Sequence, residues 1–276
     1  MFLLSSPFNI PVLLASGVYN TESDKLYFLC DKSSNAAINL VCARLGIRNF
    51  VIVNNLIFKL VLILIGIARP KLVLGDPRTK WAAHVIRCRL IFETIFVDDG
   101  SNTISAFSSN TFISLLHKRR IVFYSIFDIA HSSIVNVLEV VTRILSKNTN
   151  LNKALEKKNI ILGTVEFDRG HVLEADIIDA LRQNKIQNAV YKMHRRESGR
   201  LFDALKTSLS LELLDLALPV EFFDLSNIST LVTFGSSCEP LLGVLYPDLK
   251  ILNLSKILKI PDNERQAAFH GLLERR

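Results

Sequence analysis

The sequence FVIVNNLIFKLVLILIGIARPKLVL occupies residues 50–74 and contains two short β-branched runs on either side of a longer apolar run. The short runs, Phe50–Val53 and Leu72–Leu74, have the length and composition of strands. The apolar run Leu56–Ala68 includes Lys59 and falls well short of the roughly 20 residues that a membrane-spanning helix needs. We therefore predict a strand, a buried helix and a second strand, which is the repeating unit of a parallel α/β sheet.

The same alternation of strand and helix patterns continues through the first half of the chain. Further strands are predicted at Pro11–Ser16, Leu26–Cys30, Ile95–Val97 and Ile121–Phe127. Helices are predicted at Asn35–Leu45, Arg78–Cys88, Thr103–Leu116 and Ser133–Ser146. The apolar start, Met1–Gly17, lacks positive charge and is broken by prolines, so we interpret it as a strand and turn and not as a signal peptide.

A polar segment, Ser146–Lys158, separates two halves of the chain, and the alternation restarts after it. In the second half, strands are predicted at Asn159–Gly163, Gln187–Lys192, Thr230–Phe234 and Lys250–Leu254, and helices at Leu173–Asn184 and Asp262–Glu274. We predict two α/β domains, residues 1–150 and 151–276. Ligands of such folds bind at the carboxyl ends of the strands, so we expect a cleft between the two halves.

The composition limits the classes of function that the chain can serve. Hydrophobic residues make up 49% of the 276 residues, which excludes a disordered chain. The net charge of +7 suits an anionic partner, and it is too small and too dispersed to predict nucleic-acid binding. No metal-binding spacing connects the four cysteines, so we expect buried free thiols, a reducing compartment and no metal site; they are Cys30, Cys42, Cys88 and Cys238.

Polar residues directly follow four of the predicted strands. In the segment FVDDGSNT, the carboxylates Asp98 and Asp99 precede a glycine. Neighbouring carboxylates can raise each other's pKa, which suits a general base, and the same residues also fit an ordinary Asp-Gly turn before a helix cap. In the segment IILGT, Gly163 either lets the backbone approach a ligand closely or simply forms a turn.

The other two segments suit the binding of phosphate. In YKMHRRE, His194 lies between Lys192 and two arginines, and a protonated imidazole beside cations can stabilise a leaving phosphate. A solvated basic turn explains the same residues. In FGSSCEP, Ser236 and Ser237 follow a glycine and open a helix, where hydroxyl and N–H groups can cradle a phosphate. They equally fit a helix cap, with Glu239 as a first-turn acid favoured by the helix dipole.

Taken in order, the motifs resemble those of bacterial sialyltransferases, in particular glycosyltransferase family 52, the lipooligosaccharide sialyltransferases, with the polysialyltransferases as relatives. The shared motifs are Asp98-Asp99-Gly100, His194 and Ser236-Ser237. Similar segments elsewhere in the chain are Ser6-Pro7-Phe8, Ile161–Thr164, Lys192–Glu197 and Pro219-Val220-Glu221. The family has a proline after the histidine, and this chain has Arg195 there.

This resemblance implies a metal-independent enzyme of the GT-B type, with two Rossmann-like domains that face a central cleft, and it implies that the enzyme needs no cofactor. It would be an inverting sialyltransferase that moves sialic acid from CMP-sialic acid to a terminal sugar of a lipooligosaccharide or capsular glycan. The first half would bind the acceptor and supply Asp98 as general base, and His194 in the second half would assist the departing CMP phosphate. The residues implied to bind the donor are Lys192, Glu221, Ser236, Ser237, Gly163 and Thr164.

Arg195 and the short chain leave two alternatives open: a GT-B glycosyltransferase that uses another nucleotide sugar, or a degenerate member that binds nucleotide or glycan without turnover. The chain is expected to be cytoplasmic. The basic clusters Lys118–Arg120 and Arg275-Arg276 fit either a peripheral contact with the inner face of the cell membrane or a solvated surface. The sequence leaves the acceptor, the linkage and the oligomeric state open.

Overall fold

The computed structural model describes residues 1–75, 85–89, 92–98, 121–129, 131–147, 159–194, 196–214, 218–236 and 238–260. The chain divides into two compact units, Met1–Asn148 and Thr149–Arg276, and each contains one parallel sheet. The predicted helices Thr103–Leu116 and Asp262–Glu274 lie outside the described residues, as does most of Arg78–Cys88. The roles that we assigned to residues 1–150 and 151–276 stay predictions.

The N-terminal unit contains a seven-stranded parallel sheet with the order β3-β2-β1-β4-β5-β6-β7. Its strands are β1 (Phe2–Leu4), β2 (Leu26–Leu29), β3 (Phe50–Val53), β4 (Lys71–Leu74), β5 (Glu93–Val97), β6 (Ile121–Ser125) and β7 (Ile134–Asn136). Its described helices are α1 (Asn9–Ala15), α2 (Asn35–Arg44), α3 (Leu56–Ile67) and α4 (Leu138–Lys147). The central strands are buried on both faces, which explains why they are continuous apolar runs in the sequence.

The C-terminal unit contains a five-stranded parallel sheet with the order β10-β9-β8-β11-β12. Its strands are β8 (Asn159–Leu162), β9 (Ala189–Lys192), β10 (Glu212–Leu213), β11 (Thr230–Thr233) and β12 (Lys250–Asn253). Its described helices are α5 (Glu174–Gln183), α6 (Arg200–Ser208) and α7 (Glu239–Leu245). Helices α5 and α6 pack together over a core of buried aliphatic and aromatic side chains that includes Ile177, Leu201 and Tyr191.

In both sheets the strand order reverses once, between β1 and β4 in the first unit and between β8 and β11 in the second. Crossover connections in parallel sheets are right-handed, so the connections that start on the two sides of a reversal run over opposite faces of the sheet. The loops therefore diverge at the carboxyl ends of the two strands, and this is where open α/β sheets bind ligands. We call these two places the N-terminal and the C-terminal switch point.

Two predicted elements are wrong in type or extent. Pro11–Ser16 was predicted as a strand and lies mostly in helix α1, where Pro11 occupies the first turn and its missing N–H costs no intrahelical hydrogen bond. A short apolar run fits a strand and a buried helix equally well, so periodicity does not distinguish them. The predicted helix Ser133–Ser146 begins with strand β7, and helix α4 starts only at Leu138.

Helix α3 forms as predicted, but the prediction that it is buried is wrong. It begins after Asn55, whose Oδ1 accepts hydrogen bonds from the N–H groups of Ile57 and Phe58. Seven of its apolar side chains are exposed: Leu56, Ile57, Phe58, Leu60, Val61, Leu64 and Ile65. Apart from Lys59 the helix is apolar on every side, so its sequence carries no periodic signal of which face is buried. Among the described helices, none is long and apolar enough to cross a membrane.

The end of α3 is fixed by Arg89, which is only 2% exposed. Its guanidinium group donates hydrogen bonds to the carbonyl oxygens of Gly66 (2.7 Å) and Arg69 (2.6 Å) at the end of the helix, and to that of Glu93 (2.6 Å) at the start of β5. Burial lowers the pKa of Arg89. A cation also suits the negative end of the helix dipole, so Arg89 joins α3 to the sheet.

Candidate functional site

The C-terminal switch point carries most of the residues that the sequence singled out. Gly163 and Thr164 follow β8, Lys192 ends β9 with His194 two residues later, and Ser236 follows β11. Strands β9, β8 and β11 are adjacent and parallel, so these residues lie along one edge of one sheet. Of the polar side chains among them, Lys192 and Thr164 are buried and His194 and Ser236 are half-buried.

Gly163 is a position where a side chain does not fit. Its N–H donates to the carbonyl oxygen of Lys192 (2.8 Å), which extends the pairing of β8 with β9. A Cβ atom on Gly163 would lie 1.9 Å from Oε2 of Glu197 and 2.7 Å from the hydroxyl of Tyr191. The space beside this glycine is therefore filled by the chain's own carboxylate. The contact with a nucleotide that we assigned to Gly163 and Thr164 stays a prediction.

Glu197 organises the loop that follows β9. Its Oε1 accepts a hydrogen bond from the hydroxyl of Tyr191 (2.6 Å), and its Oε2 accepts one from the N–H of His194 (3.0 Å). The N–H of Glu197 donates in turn to the carbonyl oxygen of His194 (2.9 Å), which closes a tight turn. Burial raises the pKa of the Glu197 carboxyl above its usual range, and the bonds from Tyr191 and His194 offset only part of that rise.

The ring of His194 has a defined orientation. Its Nδ1 accepts a hydrogen bond from the N–H of Arg196 (3.2 Å). In the neutral ring the proton is therefore on Nε2, which is the nitrogen that can donate to an oxygen of a phosphate or a hydroxyl. The turn held by Glu197 thus fixes both the backbone and the tautomer of this histidine.

The loops after β8 and β9 are joined to each other. The N–H of Ser198 donates to Oδ2 of Asp168 (2.8 Å), and the Ser198 hydroxyl donates to the other carboxylate oxygen. These two bonds lower the pKa of Asp168. In the first loop, the Thr164 hydroxyl oxygen accepts from the N–H of Glu166 (3.2 Å). Both loops are therefore held in one conformation by their own polar groups, which lowers the entropy cost of binding a ligand there.

The start of α7 is occupied by Glu239. Its Oε1 accepts from the N–H of Ser236 (2.7 Å) and from the hydroxyl of Thr233, and its Oε2 accepts from Nδ2 of Asn253 (2.9 Å). The Ser236 N–H, which we predicted to hold a phosphate together with the hydroxyls of Ser236 and Ser237, therefore already binds a carboxylate. The contact resembles the glutamate half of a capping box but lies two residues earlier, because Glu239 is the first residue of α7 and Cys238 is its N-cap.

Glu221 lies in the short 3-10 turn Val220–Phe222. Burial, and after it the charge of Glu221, raises the pKa of the Cys238 thiol, whose sulfur lies 3.0 Å from Oγ of Ser236. Glu221 is thus close to the start of α7. Its predicted contact with ribose hydroxyls and the predicted contact of Lys192 with cytosine are not tested by this arrangement.

Asp98 lies in the other unit, at the end of β5, and is fully buried. Its Oδ2 accepts hydrogen bonds from the hydroxyl of Ser125 (2.9 Å) and the N–H of Ile126 (3.2 Å), and its carbonyl oxygen accepts from Nδ2 of Asn9 (2.8 Å). These contacts join the ends of β5 and β6. The predicted role of Asp98 as a general base, like that of His194 as a catalytic residue, stays a prediction.

Several predicted residues lie outside the described part of the chain: Asp99, Gly100, Arg195, Ser237, Lys118–Arg120 and Arg275-Arg276. Within the described part, no group of three or more His, Cys, Asp and Glu side chains is arranged to hold a metal ion. The expectation that the protein needs no metal and no cofactor stays a prediction.

Three solved structures share this fold along most of their length. A UDP-GlcNAc 2-epimerase from Neisseria meningitidis bound to UDP-GlcNAc superposes with a TM-score of 0.57 at 14% identity, covering 98% of this chain and 85% of that one. A co-structure of S. aureus MnaA with UDP gives 0.59 at 12% identity, covering 99% and 86%. Another UDP-GlcNAc 2-epimerase gives 0.51 at 13% identity, covering 98% and 89%. No protein-family profile matches the sequence, and no curated protein sequence matches it.

These likenesses confirm the predicted fold class, an α/β protein of the GT-B type with two Rossmann-like domains. The prediction of a family 52 sialyltransferase is wrong, and so are CMP-sialic acid and a lipooligosaccharide or capsular acceptor as its partners, because the structural neighbours are UDP-GlcNAc 2-epimerases. The motifs behind that resemblance are short, and turns and helix caps reproduce them. Asp98 joins two strands, and Ser236 belongs to a capping arrangement with Glu239.

Sequence reasoning missed the residues that organise the two switch points. Glu197 was noted only within the resemblance, and Tyr191 only as the start of a segment. Asn9, which is fully buried at the N-terminal switch point, was assigned no role there. One signal was available: the Ser-x-x-Glu spacing of Ser236 and Glu239 predicts a capping box.

Proposed function

We propose that this protein binds a UDP-sugar of the UDP-N-acetylhexosamine class at the C-terminal switch point and interconverts it with an epimer. The observation that carries the proposal is the likeness over 98–99% of the chain to two structures that contain UDP-GlcNAc or UDP as ligand. Among the alternatives that the sequence left open, the comparisons support the use of a nucleotide sugar other than CMP-sialic acid.

The geometry of the C-terminal switch point supports the binding of a diphosphate. Lys192 is buried at the end of β9 and brings a basic side chain to this edge of the sheet, and a basic side chain forms charge-assisted hydrogen bonds with phosphate. His194 presents Nε2–H as a donor for a phosphate oxygen, because its Nδ1 is an acceptor. The loops that carry both groups are held by Glu197 and Asp168, so a ligand meets donors that are already ordered.

The reaction that we propose is an isomerisation, because the neighbouring proteins named above are epimerases. Epimerisation at a carbon bearing hydrogen requires that this hydrogen leave, as a proton or as a hydride, and that one return on the opposite face. We assign His194 to the binding of the diphosphate in this reaction. Glu197 is a positioning residue that fixes the turn and tautomer of His194.

Isothermal titration calorimetry with UDP, GDP and CMP tests the binding proposal. We expect UDP to bind at least tenfold more tightly than CMP. The variant His194→Ala should weaken UDP binding about tenfold, since a hydrogen bond to a charged group contributes roughly 1.5–3 kcal/mol. His171→Ala is the matched control, because this half-exposed histidine of the same unit pairs with Glu166. Equal affinity for all three nucleotides, or no loss in His194→Ala, would contradict the proposal.

Proton NMR of UDP-GlcNAc incubated with the protein tests the reaction. We expect the anomeric signal of a second UDP-N-acetylhexosamine to grow to an equilibrium level, and we expect His194→Ala to slow its growth. UDP binding without any conversion would remove the isomerase assignment and leave the binding proposal standing. The two experiments therefore fail separately.

A further inference from the structure

Helix α3 carries the largest exposed apolar surface among the described residues. Five of its side chains are more than half exposed: Leu56 at 69%, Ile57 at 70%, Phe58 at 64%, Leu60 at 52% and Leu64 at 66%. At 100° per residue the exposed apolar positions, with Val61 and Ile65 included, cover slightly more than half of the circumference of the helix. A contiguous apolar surface of this kind marks a site of interaction.

Contacts along its length and at both ends hold the helix in place, so its exposed side chains form one rigid surface. Its inner side packs on the sheet through Ile63 and through Gly66, where a Cβ atom would lie 3.1 Å from a methyl group of Leu72. Asn55 caps its start, and Arg89 binds the carbonyl oxygens at its end. The exposed side chains are therefore a fixed face of the folded protein.

The charged side chains within the segment that contains α3 are all basic, and two acidic residues lie close to that segment: Glu93 is opposite Lys71 in the sheet, and Asp31 follows Cys30. Residues 50–75 contain Lys59, Arg69 and Lys71 and no acidic residue, and Arg69 and Lys71 are exposed at the end of the helix. Lys59 lies at the side of the helix, where its ammonium group donates to the carbonyl oxygen of Cys30 (2.9 Å). An apolar helix face next to basic side chains is the combination that binds the surface of an anionic membrane.

The chemistry of the exposed face favours lipid over a protein partner. Its side chains are Leu, Ile, Val and Phe, and none of them can form a hydrogen bond. Protein interfaces form about one hydrogen bond per 100–200 Å² and concentrate their binding energy in Trp, Tyr and Arg, with Leu and Val under-represented. Interfacial membrane helices bury such aliphatic side chains about 5–10 Å deep, which is roughly the exposed half of a helix of about 10–12 Å diameter.

We propose that the outer face of α3 docks the protein on an anionic lipid bilayer. The helix lies in the plane of the membrane surface, with its apolar side chains in the lipid interface and with Arg69 and Lys71 near the headgroups. The contact is peripheral, because twelve residues of helix are too few to cross the hydrocarbon core. This inference does not depend on the proposed UDP-sugar site, since it concerns the other unit.

Flotation with vesicles of 70% phosphatidylcholine and 30% phosphatidylglycerol tests the proposal, with pure phosphatidylcholine vesicles as the comparison. We expect the full-length protein to bind the anionic vesicles at least tenfold more strongly. The double variant Ile57→Ser/Leu64→Ser should lose at least tenfold in binding. Leu173→Ser is the matched control, because Leu173 in the other unit is as exposed as Leu64, at 66%, and should bind as the wild type does.

A second variant separates the charges from the apolar face. Arg69→Gln/Lys71→Gln should weaken binding to anionic vesicles by roughly fivefold for each residue and leave binding to neutral vesicles unchanged. Circular dichroism and melting temperature confirm that each variant is folded. Absence of vesicle binding by the wild type overturns the proposal. So does sedimentation that shows a wild-type dimer dissociated by Ile57→Ser/Leu64→Ser, because the face would then bind a second copy of the chain.

Discussion

The two switch points have the same topology but differ in what fills them. At the N-terminal one, Asn9 is fully buried and its Nδ2 donates to the carbonyl oxygens of Gly75 (3.0 Å), Val97 (3.3 Å) and Asp98 (2.8 Å). Its Oδ1 accepts from two further N–H groups in the loop after β1. One amide side chain thus satisfies the ends of three strands.

At the C-terminal switch point, a glutamate side chain lies on each side of the point where the strand order reverses. Glu197 covers Gly163 on the side of β9, and Glu239 binds the start of α7 on the side of β11. His194 and Lys192 bring donors and positive charge to the same edge. The same strand order around a switch point can therefore stabilise the fold in one unit and, as we propose, bind a ligand in the other.

The largest effect is expected from Asn9→Asp. This change replaces a donor that faces three carbonyl oxygens by an acceptor, so the oxygens lose their partner and face a like partial charge. We expect a loss of about 4 kcal/mol in the free energy of unfolding, measured by urea denaturation. Asn20→Asp is the control, because Asn20 is exposed and its Oδ1 acts only as an acceptor for Glu22 N–H. A loss below about 1 kcal/mol in the free energy of unfolding would show that Asn9 does not stabilise the ends of these strands.

Gly163→Ala should have the next largest effect. The new methyl group would overlap the Glu197 carboxylate, which is held by Tyr191 and His194, and overpacking costs typically about 1–3 kcal/mol. We expect weaker UDP binding as well, because the turn that carries His194 must move. Gly243→Ala should be neutral or stabilising, since the nearest atom to its Cβ lies 3.7 Å away within helix α7. Equal stability of the two variants would contradict the view that Glu197 leaves no room for a side chain at position 163.

Glu239→Gln should cost about 1–2 kcal/mol in the free energy of unfolding. The amide keeps one acceptor oxygen, but the other atom becomes a donor that faces the Ser236 N–H or Nδ2 of Asn253. On the surface of α4, Glu139→Gln breaks only an exposed pair with Arg143 and should change stability by less than about 0.5 kcal/mol. Thermal and urea unfolding of both variants measures these losses. Equal losses in the two variants would show that the contacts of Glu239 at the start of α7 do not stabilise the protein.

The smallest effect concerns pH. Burial raises the pKa of Glu197 in the folded protein above its ordinary value of 4.5, so the folded state binds this proton more tightly than the unfolded state does. Stability therefore falls as pH rises from about 4.5 to the folded pKa, and it does not change further above that. Relative to Glu197→Gln, the wild type should lose stability over this range in a series of urea titrations. A relative gain with rising pH would show that the carboxylate, not the acid, is favoured by folding.

The strands were predictable because parallel strands buried on both faces are continuous apolar runs. Phe50–Val53 has the predicted bounds, and Lys71–Leu74 and Thr230–Thr233 differ by one residue at one end. Which face of α3 is buried was not predictable, since a helix whose only polar residue is Lys59 gives no periodic signal. Pro11 was misread because a short apolar run suits both kinds of element.

The candidate site was predictable in position but not in detail. Polar residues after strands mark the carboxyl edge of a parallel sheet, which located Gly163, His194 and Ser236 on neighbouring strands. The contacts of Glu197 with Tyr191 and Gly163 connect two loops through the fold, and no local pattern reveals them. The prediction of CMP-sialic acid as the donor substrate was wrong for a related reason. Short motifs of this kind also form ordinary turns and helix caps, so they do not identify a nucleotide.

Amide hydrogen exchange with and without saturating UDP tests whether the ligand binds at the C-terminal switch point. We expect exchange to slow at residues 163–166, 192–199 and 234–239, around this switch point. We expect no change at residues 5–9 and 97–98, where Asn9 fills the N-terminal one. Slower exchange confined to residues 5–9 and 97–98, or unchanged exchange everywhere while calorimetry shows UDP bound, would contradict the assignment of the ligand site to the C-terminal unit.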